Sequence, residues 1–189
     1  MHVITIETPS LGDRSYVVHD GEVALVVDPQ RDVDRVLGAA EEAGVRITHV
    51  AETHVHNDYV SGGLVLSRMT GADYVHAAAE PLRFDHRSVA DGDRFEVGSL
   101  AVEVVHTPGH TPEHLSYVVR ADGHPPAAFT GGSLLYGTVG RTDLISEEMT
   151  DELTRAQHRS AHRLAEMLPD ETCVYPTHGF GSFCASASS

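Results

Sequence analysis

Lysine is missing altogether: the 13 basic residues of this 189-residue chain are all arginine. That excludes a lysine Schiff base and a phosphate-binding loop built on lysine. Basic residues are scarce overall, 13 against 28 acids, for a formal net charge of −15. A surface of that sign repels a phosphate backbone, so no nucleic-acid partner is expected. Cysteine is nearly absent: Cys173 and Cys184 cannot build a disulfide framework, and a reducing cytoplasm is the expected setting. No apolar run approaches the roughly 20 residues of a membrane span. The opening MHVITIETPS lacks a charged segment followed by an apolar one, so neither a membrane anchor nor a signal peptide is expected. What remains is a composition 41% hydrophobic and 6% aromatic, that of a globular domain with a sizeable core.

Histidine is plentiful, with 14 in the chain. His158 and His162 read as surface residues of a helix, so the question is which of the others cluster. HVITIE, SYVVHD and EVALVVDP predict three strands, separated by turns rich in Gly, Asp and Pro. DVDRVLGAAEEAG places Val33, Val36, Leu37, Ala40 and Ala43 at helical spacing, with Gly44 as the stop. VRITHVAET predicts a buried strand, VSGGLVLSRMTG a helix and DYVHA a short strand. RFEVGSLAVEVVHT predicts a hairpin about Gly98-Ser99, and LSYVVRADGHPPAAFT another about Asp122-Gly123. A long helix follows from Ser146 to Leu168, stopped by Pro169, and TCVYP is a last strand leading to His178. Strands then helix, twice over, suggests two β-sheets packed together with helices outside.

The histidines of interest sit at strand ends, where loops on a rigid scaffold carry chemistry. His54 and His56, in ETHVHNDYVSGG, are two residues apart; in extended chain both rings point the same way, and Asp58 continues the alternation. His110 follows the Pro108-Gly109 turn in HTPGHTPEH, which thrusts it off a strand end. Three histidines from two loops make a neutral, open metal site, so His54, His56 and His110 are the expected ligands. His106 and His114 fit packing or supporting roles better than ligation. His178, in YPTHGFG, is a further site candidate, and Cys184 reads as a buried structural thiol more readily than as a sulfur carrier.

THVHND, TPGHTPEH, FTGGSLLYGTVGRTDL and PTHGFG, in that order, resemble the motifs of the metallo-β-lactamase fold. The resemblance runs over nearly the whole chain and implies an α+β, four-layer αββα sandwich over residues 1–184, with a flexible tail at 185–189. Within that superfamily the chain resembles glyoxalase II-type hydrolases and, more nearly, persulfide dioxygenases, above all bacterial proteins that fuse such a domain to a rhodanese. Two positions depart from the family pattern. Tyr59 stands where it has a histidine, and Gly132 where it has a metal-binding aspartate. Together they imply that a second metal has been given up. The resemblance therefore implies one divalent ion per chain, Fe(II) favoured and Zn(II) as the alternative. Asp58, Tyr59, Arg141 and His178 are the implied catalytic residues, with Arg141 either orienting an acidic substrate or pairing with Asp143. The implied activity is oxidation of a low-molecular-weight thiol persulfide to sulfite with O₂. The alternatives are a zinc-dependent thioester hydrolase of the glyoxalase II kind and a degenerate, non-catalytic metal- or partner-binding domain. A rhodanese and a second copy of the chain are the candidate protein partners. Restoring the carboxylate by Gly132→Asp is expected to tighten metal binding.

Overall fold

The computed structural model describes residues 1–179 and 182–185. Its first sheet has six strands in sequence order: β1 (His2–Thr8), β2 (Asp13–His19), β3 (Val23–Val27), β4 (Arg46–Ala51), β5 (Asp73–Ala77) and β6 (Arg87–Val89). β1 to β3 are antiparallel and joined by short turns; β3 to β6 are parallel. Parallel neighbours need a crossover, which α1 (Asp34–Ala43) and α2 (Gly63–Thr70) supply. The second sheet runs β11 (Cys173–Pro176), β10 (Ala127–Gly131), β9 (Leu115–Arg120), β8 (Leu100–His106) and β7 (Arg94–Val97). Here β7 to β10 are antiparallel, and α3 (Thr150–Met167) carries the chain over to β11, parallel to β10.

Sequence pattern accounts for the layers. β3, VALVV, is β-branched and apolar on both faces because both are covered. Leu25 and Val27 face the second sheet and pack with Phe129, Val102 and Tyr117. Ala24 and Val26 face the other way, onto Val36, Ala40 and Leu66 of α1 and α2. On the far side Leu164 of α3 closes over Val105, Val118 and Ala128. These three interfaces make the four layers expected: helices, sheet, sheet, helix.

The element boundaries differ from expectation in a few places. β6 has no sequence signal; three residues beside β5 became a strand because they complete its hydrogen bonding. α3 begins at Thr150 rather than Ser146. Ser146 instead caps the approach, its Oγ accepting from the Met149 N–H (3.3 Å) and its carbonyl from the Thr150 hydroxyl (3.0 Å). Of the tail expected at 185–189, residues 186–189 lie outside the described residues, and Ala185 bridges to Gly140. No helix of the described residues is long and apolar enough to cross a membrane.

Candidate metal centre

The site lies at one end of the sandwich, where the two sheets are stitched together. Arg14 N–H donates to the Thr177 carbonyl (2.8 Å) and Gly179 N–H to that of Gly12 (2.8 Å), while Asp13 and His178 form an isolated bridge. His54 and His56 leave β4, His110 leaves β8 and His178 leaves β11, so every one sits just past the end of a strand.

Hydrogen bonding fixes the tautomers. His110 Nδ1 lies 2.8 Å from the carbonyl of Arg141, which can only accept, so Nδ1 carries the proton. His178 Nδ1 faces two carboxylates, Asp13 at 2.9 Å and Asp58 at 3.4 Å, with the same result. His54 Nδ1 is 2.9 Å from Thr53 Oγ1, whose single proton goes to Asp28 (2.7 Å), so Nδ1 of His54 must donate. All three rings are therefore held with Nε2 as the lone-pair nitrogen. Burial lowers the pKa of His110 and of His178 to about 4. It carries His54 well below the usual imidazole value, with the neighbouring histidines acting in the same direction. Nε2 of His54 and Nε2 of His178 face one another at 3.3 Å. Two neutral imidazoles cannot hydrogen-bond through two lone pairs, so that juxtaposition fits a cation between or beside them. The donor set thus suits a divalent metal.

Among the described residues, the ligand-capable atoms that lie mutually within 4.8 Å fall into four trios. They are His54–His56–His178, His110–His178–Cys184, Asp13–Asp58–His178 and Asp28–Glu52–His56. The trio expected from sequence, His54, His56 and His110, is not among them, although the His54 ring is 4.1 Å from that of His56 and 4.9 Å from that of His110. His110 shares no trio with His54 or His56; His56 lies with His54 and His178, and its Nε2 also faces buried acids, 3.2 Å from Asp28 and 3.4 Å from Glu52. Burial alone would lower His56 and raise Asp28, but their mutual attraction outweighs it, lifting the imidazole to about 10 and holding the carboxyl at about 2. Glu52, fully buried, is pushed up by desolvation. His178 is the member shared by three trios, a centrality that spacing could not reveal.

The remaining candidates fall into place around this centre. His114 has both nitrogens engaged, Nε2 accepting from Gly132 N–H (3.0 Å) and Nδ1 on Thr107 Oγ1 (2.9 Å), which leaves it a packing role. His106 contacts the Pro112 carbonyl (2.9 Å) at the surface. Tyr59 stacks on His56 with centroids 4.4 Å apart and donates its hydroxyl to the Asp28 carbonyl (3.4 Å). It fills the space beside His56. Arg141 pairs with Asp143 through two contacts of 2.7 and 2.8 Å and lies 4.8 Å over the Phe183 ring. Of the two readings for that side chain, the ion pair is the one observed. Asp58 turns toward His178, and its Oδ1 is buried without a partner. Gly132 faces the centre: a Cβ there would lie 2.3 Å from His110 Cδ2 and 2.9 Å from His178 Cδ2. Asp13 and Asp28 carried no sequence signal, because their partners come from distant strands, whereas Glu52 meets His56 four residues on. A groove of about 460 Å³ opens beside Asn57, with Val55, Pro112, Leu144 and Ile145 on its walls.

A family model described as the metallo-beta-lactamase superfamily matches residues 12–178. The chain is 34% identical over 178 residues to a hydroxyacylglutathione hydrolase of Maricaulis maris, covering 91% of this chain and 64% of that protein. It is 30% identical over 178 residues to the mitochondrial persulfide dioxygenase ETHE1 of Homo sapiens, covering 93% and 65%. The chain thus spans just under two thirds of the length of these curated relatives. In three dimensions it superposes on the crystal structure of ETHE1 from Myxococcus xanthus with a TM-score of 0.83 at 30% identity, over 98% of this chain and 79% of that one. With a match that begins beside Asp13 and ends on His178, the two residues whose pairing anchors the site, the chain belongs to the metallo-β-lactamase superfamily.

Proposed function

We propose that this domain is a single-metal dioxygenase of low-molecular-weight persulfides. The observation that carries the reading is the set of oriented imidazoles beside a position that offers no bridging carboxylate. His54, His110 and His178 present Nε2 lone pairs, while Gly132 supplies no bridging carboxylate and Tyr59 packs on His56. His178 would hold the ion, with His54 and His56 beside it in one trio and His110 beside it in another. When bound, the metal supplies a Lewis-acidic, redox-capable centre for sulfur and O₂. The balanced reaction is persulfide plus O₂ plus water giving thiol and sulfite. The chain's own part is to position: Arg141 O, Thr53 Oγ1 and Asp13 fix the three rings, and the groove beside Asn57 admits the carrier. Its walls combine apolar Val55, Leu144 and Ile145 with polar Asn57, Thr111 and Glu113.

A hydrolase is the second reading. It is favoured by the relative in Maricaulis maris and by the fit of neutral imidazoles to zinc. Metal analysis of anaerobically purified protein, with O₂ uptake on glutathione persulfide and hydrolysis of a hydroxyacylglutathione run side by side, separates the two. Iron with O₂ uptake supports the dioxygenase. Zinc with thioester cleavage and no O₂ uptake overturns it.

A further inference from the structure

Gly132 offers no anionic ligand, and the space a side chain there would take is filled by the rings of His110 and His178. A different anion lies within reach. Cys184 is fully buried, and its sulfur lies with one ligand atom each of His110 and His178, all within 4.8 Å of one another. We propose that Cys184 is a metal ligand, its thiolate joining His110 and His178 in place of the carboxylate that Gly132 does not provide. The inference rests on the reading that this centre holds a metal.

Geometry is the main argument. The peptide of Arg141 positions two of the three groups at once: its carbonyl accepts from His110 Nδ1 (2.8 Å) and its N–H donates to the Cys184 carbonyl (2.9 Å). The neighbouring bridge of Gly140 to Ala185 and the stacking of the Arg141 guanidinium on Phe183 hold the segment to the same loop. A thiol that served only for packing would need no such placement beside two oriented imidazoles. The polar environment also points to an ion. The thiol donates toward Asp58 Oδ2 (3.5 Å) and Asn57 Oδ1 (3.6 Å), so it sits among polar groups rather than in the apolar core. Asp13 and Asp58 set two buried carboxylates against His178, and the His54 and His178 lone pairs oppose one another. Binding would exchange the thiol proton for the metal: the S–H bond breaks, the proton leaves to solvent, and the sulfur lone pair goes to the ion with no change of oxidation state.

The test is anaerobic titration of the full chain, freed of metal, with Co(II), followed by absorption. Co(II) held by nitrogen alone gives d–d bands; a thiolate ligand adds an intense near-ultraviolet charge-transfer band. With Cys173 and Cys184 the only cysteines, a band that persists in Cys173→Ser must come from Cys184. This arm needs no substitution at the site itself. In Cys184→Ser the band should vanish, and Co(II) affinity should fall by about 100-fold or more, beyond the range for loss of a supporting partner. Co(II) uptake with d–d bands but no sulfur band, or a band lost in Cys173→Ser, overturns the ligation and leaves the metal reading intact. No Co(II) uptake at all overturns both.

Discussion

His110, His178 and His54 solve one problem with three different partners: a backbone carbonyl, a carboxylate pair and a threonine hydroxyl each take the Nδ1 proton and free Nε2. Partners of this kind tune a ligand without touching the ion, and their loss costs about 10- to 100-fold in metal affinity. Asp13→Ala should fall in that range, read by competition against a chromophoric chelator, and unchanged affinity would mean that His178 is not a ligand. Gly132 works in the opposite sense, by having no side chain. The sequence-based expectation that Gly132→Asp tightens binding meets a Cβ placed 2.3 Å from the His110 ring, and the ring cannot retreat without leaving Arg141. The variant should lose about 1–3 kcal/mol of stability from overpacking. A thermal melt of the metal-free protein matching the parent would show that the ring yields freely.

Among elements, α3 matters most to the site although it supplies no ligand. It holds the loop that carries His110. Ser160 Oγ donates to the Pro108 carbonyl (2.7 Å), and Gln157 Nε2 donates to that of Ser133 (2.9 Å). Gly109, at φ 147°, passes so near that a Cβ would lie 2.4 Å from Gln157 Cα. Gly109→Ala must therefore push the loop off the helix, and it should weaken metal binding as well as stability. A variant that melts lower yet binds metal with parental affinity would separate the loop from the site. Leu164, fully buried against Val105, Val118 and Ala128, anchors the same helix. Leu164→Ala should cost about 2–5 kcal/mol by denaturant unfolding, whereas His158→Ala on the exposed face should stay within about 0.5 kcal/mol.

At the scale of the whole molecule, Asp28 joins the two sheets. It is fully buried at the end of β3, accepts from Thr53 N–H (2.7 Å) and Thr53 Oγ1 beside β4, and accepts from the Thr177 hydroxyl beyond β11. Asp28→Ala would leave those donors and His56 unpaired in the interior, at a cost of about 3–5 kcal/mol. Near-parental unfolding of that variant would refute its role. The buried histidines set the acid limit. Burial holds His19, His49 and His76 below 6.5, so below that value the unfolded chain binds more protons and stability falls as pH drops toward their folded values. His56 has the opposite sign: its pairing stabilises fully below 6.5 and fades as pH rises through about 10. Between about pH 6.5 and 5 only the first effect operates among these groups. The metal-free protein should lose stability over that interval, by at most about 1.4 kcal/mol per pH unit for each proton taken up. A flat denaturation midpoint there would count against it.

The sequence by itself determined the layers and the histidines. Unbroken apolar strands such as VALVV, the 3.6-residue stripe of α3 and the turns at Gly98 and Gly123 are local signals, and each depends only on which face must be buried. The spacing of His54 and His56, the turn before His110 and the strand before His178 likewise marked the histidines that the fold gathers at one end. Tertiary structure alone decided which atoms meet. β6 exists only because β5 offers it hydrogen bonds. His56 meets Asp28 because that carboxylate arrives from the end of β3, a separate strand, while Glu52 stands four residues before it in the chain. Cys184 reaches the centre because Arg141 holds its backbone beside His110. Periodicity reports the environment of a face, one residue after another. Hydrogen-bond partners separated by more than a hundred residues, as Asp13 and His178 are, leave no period in the chain and are fixed only when the two sheets close.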